Sequence, residues 1–444
     1  MNIHIKDINR IRVMHIAWPI ILSNLAAPLL GLVDTAVIGN LGDPSLLGAI
    51  AVGAIIFSFI YWGFGFLRMG TTALVAQAVG ANQQREASAV FYRAAMIATV
   101  IGVSLIMLQA PIASVAFQFL NGSDAVETSA KAYFQWRILG APFSLGLLAV
   151  MGYLLGIQET KAVLLLNVIL NGLNIVLDLL FVMGFGWGVE GVAIATVISE
   201  VVALIAGILI ILPRLQKAGP VSRSALLRVA DLKRMLLVNR DIMIRTLCLI
   251  FAFAWFTNEG AAQGDITLAA NAILMQLVSF AAFFLDGFAL AAESLVGGAI
   301  GAKNPTQLNL TIRFAFELGL MTALALSFVF WITAEPIIDL LTNIESVRAT
   351  AREFLWWAIL APIVSVACYL LDGIFIGATR TAEMRNAMVL SLAAFLGLWF
   401  LAVPLFNNHG LWLALHGYFV ARALSLAFYL PGLLGHLRNP NPSP

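Results

Sequence analysis

The chain has 444 residues, 61% of them hydrophobic and only 11% charged, with a formal net charge of +2 and a mean hydropathy of +0.95. Soluble globular domains carry roughly a quarter charged residues, so this composition excludes a water-soluble fold and fits a protein built for a bilayer. Five scattered histidines and two cysteines inside apolar stretches, Cys248 and Cys368, offer no metal-ligand spacing and no expected disulfide.

A membrane helix needs about 20 mostly apolar residues. Twelve stretches qualify: 13–39, 46–79, 91–119, 132–156, 161–184, 190–212, 237–260, 267–300, 309–334, 352–377, 384–406 and 409–432. Several are long enough to require tilt or a kink. The opening MNIHIKDINRIRV has mixed charge and runs into the first span without a small-residue cleavage site, so no cleavable leader is expected. Pro19 and Pro28 interrupt that span, each removing a backbone donor, and Asp34 follows within AAPLLGLVDTAVIG.

The fifth span carries the most unusual pattern. LLLNVILNGLNIVLDLLF, residues 164–181, places Asn167, Asn171, Asn174 and Asp178 at spacings of four, three and four. At about 100° per residue these fall in one narrow stripe, and the rest of the helix is aliphatic. An ionised carboxylate near mid-membrane costs about 2.5–3.5 kcal/mol, so Asp178 and Asp34 are expected to be paired, hydrated or protonated. The two lower asparagines, Asn167 and Asn171, fit interhelical hydrogen bonding equally well. Glu200 in the sixth span reads as a bundle-facing or snorkelling acid.

PRLQKAGPVSRSALLRVADLKR, residues 213–234, is the one long polar interruption. It divides the chain into an N-terminal lobe (1–212), a connector (213–236) and a C-terminal lobe (237–444), with six spans on either side. The second lobe has its own acids: Glu259, Asp286, Glu293 and Asp372. Asp286 and Glu293 lie two helical turns apart and share a face. Structural ion pairing is the expectation for Glu293 and Asp372, with Arg68, Arg137, Arg245 and Arg422 as intramembrane partners for these acids. Aromatic residues crowd the second, seventh and eighth spans, among them Phe57, Tyr61, Trp62, Trp255 and Phe284, and their faces suit organic cations.

Charge asymmetry sets an expected orientation. With both termini cytoplasmic, eighteen of the 25 Lys and Arg residues fall on the cytoplasmic side and only Lys131, Arg348 and Arg352 on the other. The positive-inside rule therefore favours N-in, C-in. These basic loops are short and divided among turns, which argues against nucleic acid as a partner.

The halves repeat. LVAQAVGAN at 74–82 matches LVGGAIGAK at 295–303, and GYLLGIQET at 152–160 matches GIFIGATRT at 373–381, both at an offset of 221 residues. Six spans per half make the repeat parallel, an arrangement of transporters with a site between duplicated bundles. The spacing of Pro19 and Asp34, GTTALVAQAVGANQ at 70–83 and the twinned glycine-rich ends resemble the multidrug and toxic compound extrusion (MATE) transporters. LLDGIFIGATRT at 370–381 is similar to their DinF-like branch.

The resemblance implies an all-α membrane protein with twelve transmembrane helices in two pseudo-symmetric six-helix bundles, V-shaped around a central cavity. It implies export of amphiphilic or cationic organic compounds in exchange for protons, or sodium. It marks Asp34, Asn174 and Asp178 as coupling residues, adds Thr196 and Tyr133 at family-like positions, and makes Pro19 a bending point of the first helix. No cofactor is expected beyond the coupling ion. The expected partners are small organic substrates and membrane lipid, with a monomer in the inner membrane. A flippase for lipid-linked precursors is the alternative within the same superfamily, and it calls for a basic cavity and extra helices. A membrane enzyme has no support, because neither convergent acid, His or Cys motifs nor a Walker-type phosphate loop is present.

Overall fold

A computed structural model describes residues 8–39, 44–118 and 124–438; side chains of 27–39, 44–45, 124 and 436–438 are outside the description. The described chain is helical, and no strand occurs among these residues. In hydrocarbon every backbone polar group needs an internal partner, and the helix supplies it within one segment. Nine helices among the described residues are long and apolar enough to cross a membrane.

In the first half of the chain, α1 is Arg10–Gly39, α2 Pro44–Gly63, α3 Phe66–Gly80, α4 Gln84–Met107, α5 Gln109–Gln118, α6 Asp124–Arg137, α7 Ala141–Gly156, α8 Thr160–Asp178 and α9 Gly188–Ala218. A short α10 (Arg223–Leu226) lies in the connector. The second half holds α11 Val229–Ala262, α12 Asp265–Gly301, α13 Pro305–Leu341, α14 Glu345–Gly377 and α15 Thr381–Arg438. α15 is two helices joined at Asn407, whose φ of 47° and ψ of −123° break the helical path three residues after Pro404. With α2–α3, α4–α5 and α6–α7 each read as one broken span, the helices correspond to the twelve expected stretches.

The fold divides into two compact units: Leu22–Leu236, and Met1–Ile21 together with Leu237–Pro444. The divisions fall inside α1 and inside α11. An N-terminal lobe drawn as 1–212 therefore differs from the compact unit at both ends. At one end, Ala17 and Ile21 of α1 pack closely over Gly287 of α12, where an added Cβ would meet Ile21 and stand 3.3 Å from the Ala17 carbonyl oxygen. At the other, the connector is clamped to α4. Arg93, 2% exposed, donates to the carbonyls of Leu226 at 3.2 Å and Ala225 at 2.6 Å, to Asp231 at 3.0 Å and to Glu86 at 2.7 Å.

The sequence repeat is also a backbone repeat. The turn after α3 places Asn82 at φ 58°, and the turn after α12 places Lys303 at φ 51°, 221 residues later. Gln158 after α7 (φ 64°) and Thr379 after α14 (φ 54°) form a second pair at the same offset. In each turn the residue after the left-handed one donates its N–H back to the helix: Gln83 to Ala78 at 2.8 Å and Asn304 to Ala299 at 2.9 Å. A left-handed residue closing a helix in this way satisfies carbonyls that would otherwise be orphaned.

Packing repeats as well. Gly152 and Gly156 of α7 lie against α3, with an added Cβ 2.6 Å from the Arg68 carbonyl oxygen and 2.9 Å from that of Thr72. Gly373 and Gly377 of α14 lie closer still to the carbonyls of Ala289 and Glu293 on α12. Small residues four apart let backbones approach, which is how helices associate where lipid offers no hydrophobic drive. Gly373→Ala is expected to force α14 off α12 and cost about 1–3 kcal/mol, read as a lowered midpoint of thermal unfolding in detergent. Gly172→Ala, with nothing within 4 Å of its added Cβ, is the control and should leave that midpoint unchanged.

Candidate functional site

The polar ladder on α8 faces inward at its acid end. Asn174 and Asp178 are buried, at 1% and 0% exposure, whereas Asn167 and Asn171 are half-buried. Asn174 Nδ2 donates to Thr196 Oγ1 of α9 at 3.4 Å, and that hydroxyl donates to the Val192 carbonyl at 2.9 Å. The structure thus joins two of the expected site residues directly. Asp178 is the last residue of the α-helical part, and residues 179–184 form a π-helical turn. Such turns change the register of a helix locally and occur often at functional positions.

Asn167 has a different role from a passive rung. Its Nδ2 donates to Ser23 Oγ of α1 and to the Val163 carbonyl at 3.2 Å. Ser23 is buried, two residues beyond the point where α1 passes from one compact unit to the other. The ladder therefore holds α1 at one end and presents a buried carboxylate at the other. Asp34 lies on α1, but its side chain is outside the described residues, and so is any shared Asp34–Asp178 pocket. Pro19 is buried within the continuous α1.

One turn along α9 from Thr196, a second polar cluster begins. Glu200, 4% exposed, accepts from Arg137 Nη2 at 2.7 Å and Nη1 at 3.0 Å, a bidentate pair. Ser144 Oγ donates to the same carboxylate at 2.8 Å. Arg137 Nη1 also donates to Tyr61 Oη at 3.1 Å, and the guanidinium lies 5.1 Å from the Phe57 ring centroid and 5.0 Å from that of Tyr61. Gly140 makes room for this, since an added Cβ would stand 2.5 Å from Glu200 Oε2. Tyr133, expected at a family-like position, is buried in the adjoining aromatic cluster, its ring 6.2 Å from Phe57. Of the aromatic residues whose faces were expected to suit organic cations, Phe57 and Tyr61 are thus engaged by an arginine.

In the second unit, Asp372 is 3% exposed and sits between two arginines. Arg245 Nε donates to its Oδ2 at 2.7 Å. Arg422 Nε donates to Oδ1 at 3.2 Å, and Arg422 Nη2 bonds to Oδ2. Structural ion pairing is what the geometry gives for this acid, which two arginines engage. Asp286 and Glu259, the other second-lobe candidates, are half-buried, and Glu293 is buried. Sequence reading did not reach Asn271 and Asn408, which exchange reciprocal amide bonds at 2.8 and 2.9 Å, with Trp412 Nε1 donating to Asn271 at 2.9 Å. They are 137 residues apart, and an isolated membrane asparagine gives no local sign of its partner. Among the described residues no cluster of His, Cys, Asp and Glu could hold a metal ion.

The MatE family model matches residues 19–180 and 243–403, one stretch in each half of the repeat. DNA damage-inducible protein F of Escherichia coli K12 is 43% identical over 416 residues, covering 93% of this chain and 90% of that protein. Protein DETOXIFICATION 44, chloroplastic, of Arabidopsis thaliana is 28% identical over 432 residues, covering 94% and 81%. Among solved structures, the outward-facing conformation of a multidrug resistance MATE family transporter of the MOP superfamily superposes with a TM-score of 0.87 at 20% identity, covering 97% of this chain and 96% of that one. That likeness gives the fold, and the family assignment rests on the two-part match and the 43% relative. The two-part match and the 43% relative show a transporter and not an enzyme: the chain belongs to the MatE family of multidrug and toxic compound extrusion transporters, in its DinF-like branch.

Proposed function

We propose that the chain is a proton-driven antiporter of amphiphilic organic cations, coupled through Asp178 and Asp34. The observation that carries this reading is the fully buried Asp178 at the start of a π turn, beside an Asn174 already bonded to Thr196. A carboxyl group so enclosed changes its proton affinity strongly with hydration and with a second acid nearby, and two such acids titrate as a unit. An asparagine amide serves either protonation state, because it both donates and accepts.

Protonation from the outer side would let α1 bend at Pro19 and expel the substrate, and release of the proton toward the cytoplasm would reset the helix. A potential of 100 mV contributes about 2.3 kcal/mol for each charge moved across the membrane, which can drive such an exchange in a monomer of the inner membrane whose N-in, C-in orientation the positive-inside bias favours. The second-lobe alternative has less support, since Asp372 is already saturated by Arg245 and Arg422. Efflux of a fluorescent organic cation from proteoliposomes under imposed pH or Na⁺ gradients tests the coupling. Dependence on the pH gradient with indifference to Na⁺ is expected, and efflux driven by Na⁺ alone would overturn it.

A further inference from the structure

At the end of the first unit that carries the connector lies a cavity of about 560 Å³ between the first turn of α4 and the last turn of α9. Arg85 and Lys217 are its cations, and both are exposed. Arg85 Nε donates to the Ala218 carbonyl at 3.3 Å, which ties the two helix ends together. Neither cation has a carboxylate partner among the described residues. Glu86 in the cavity wall is engaged by Arg93 at 2.7 Å, so it does not cancel them. The first amides of α4 point the same way electrostatically, because no side chain caps them.

The helices that supply these cations carry exposed apolar stripes that lead to them. On α4 the exposed side chains Val100 (61%), Met96 (40%) and Tyr92 (39%) lead at helical spacing to Arg85, seven residues beyond Tyr92 and roughly 10 Å further along the axis. On α9, Leu209 (62% exposed), Pro213 and Lys217 follow at i, i+4 and i+8. Two exposed apolar stripes therefore end at one cavity in two cations without a carboxylate partner among the described residues.

We propose that this cavity binds the headgroup phosphate of an anionic phospholipid, with Arg85 and Lys217 as its ligands and the stripes on α4 and α9 receiving the acyl chains. The connector is clamped to the same helix, α4, through Arg93.

The test compares the full-length protein with an Arg85→Gln/Lys217→Gln variant in micelles containing equal phosphatidylglycerol and phosphatidylcholine, counting retained lipids by native mass spectrometry. The parent is expected to retain phosphatidylglycerol preferentially, and the double variant to lose that preference by roughly tenfold. A Lys161→Gln/Lys303→Gln variant removes two other exposed or partly exposed cations and should behave as the parent. Equal loss in that control would reduce the effect to general positive charge and overturn the site. Unchanged preference in the Arg85/Lys217 variant would also overturn it. A third arm adds inorganic phosphate: retention of phosphatidylglycerol at millimolar phosphate is expected, whereas displacement there would identify a free-anion site instead of a lipid site.

Discussion

Asp178→Asn is expected to reduce gradient-driven efflux in proteoliposomes to the level of empty vesicles while the protein still folds and inserts. The exchange keeps side-chain size and hydrogen-bonding capacity, and it removes only the ability to gain and lose a proton. Asp178 is fully buried, so relieving the roughly 2.5–3.5 kcal/mol cost of an intramembrane carboxylate should leave thermal stability unchanged or slightly raised. Loss of pumping with retained stability separates a coupling role from a packing role. Asn171→Leu, on the same stripe but half-buried, should keep most of the activity. Full pH-driven efflux by Asp178→Asn would remove the first lobe's acid from the mechanism.

The largest stability effect is expected at the Arg137–Glu200 pair. Arg137→Leu would leave Glu200, buried to 4% exposure, with Ser144 as its remaining hydrogen-bond donor among the described residues and without a counter-charge. Breaking a buried pair by removing one partner costs about 3–5 kcal/mol, and the Phe57 and Tyr61 faces would also lose the cation that lies over them. The sign of the second change is informative: Arg137→Leu combined with Glu200→Leu should recover much of that loss, because a buried pair exchanged for apolar side chains is often close to neutral. Thermal unfolding of the four proteins in one detergent closes the double-mutant cycle. If the double variant were as unstable as Arg137→Leu alone, uncompensated charge could not be the cause.

That pair also shows how α9 links two polar clusters: Thr196 faces the ladder, and Glu200, one turn on, faces α6. In the second unit the buried cations Arg245 and Arg422 both engage Asp372, so that carboxylate is already committed to ion pairing.

The sequence alone determined that the chain is an all-α membrane protein, where its helices run, that its halves repeat at an offset of 221 residues, and that α8 has one polar stripe. Each of these is a local or periodic property: hydrophobic length, a spacing of three and four, a copied string. The repeat was legible even in its strained turns, since the G-A-N and G-A-K endings are where Asn82 and Lys303 become left-handed. The tertiary structure decided which polar residues meet. Arg137 finds Glu200 63 residues away, Arg245 finds Asp372 127 residues away, and Asn167 finds Ser23 144 residues away. It also assigned the connector to the first unit through Arg93 and the start of α1 to the second. In a bilayer every helix satisfies its own backbone, so its sequence fixes its length and its polar face. Which neighbour that face meets depends on helix rotation and packing, and these are set by small-residue contacts between segments that lie far apart in the chain.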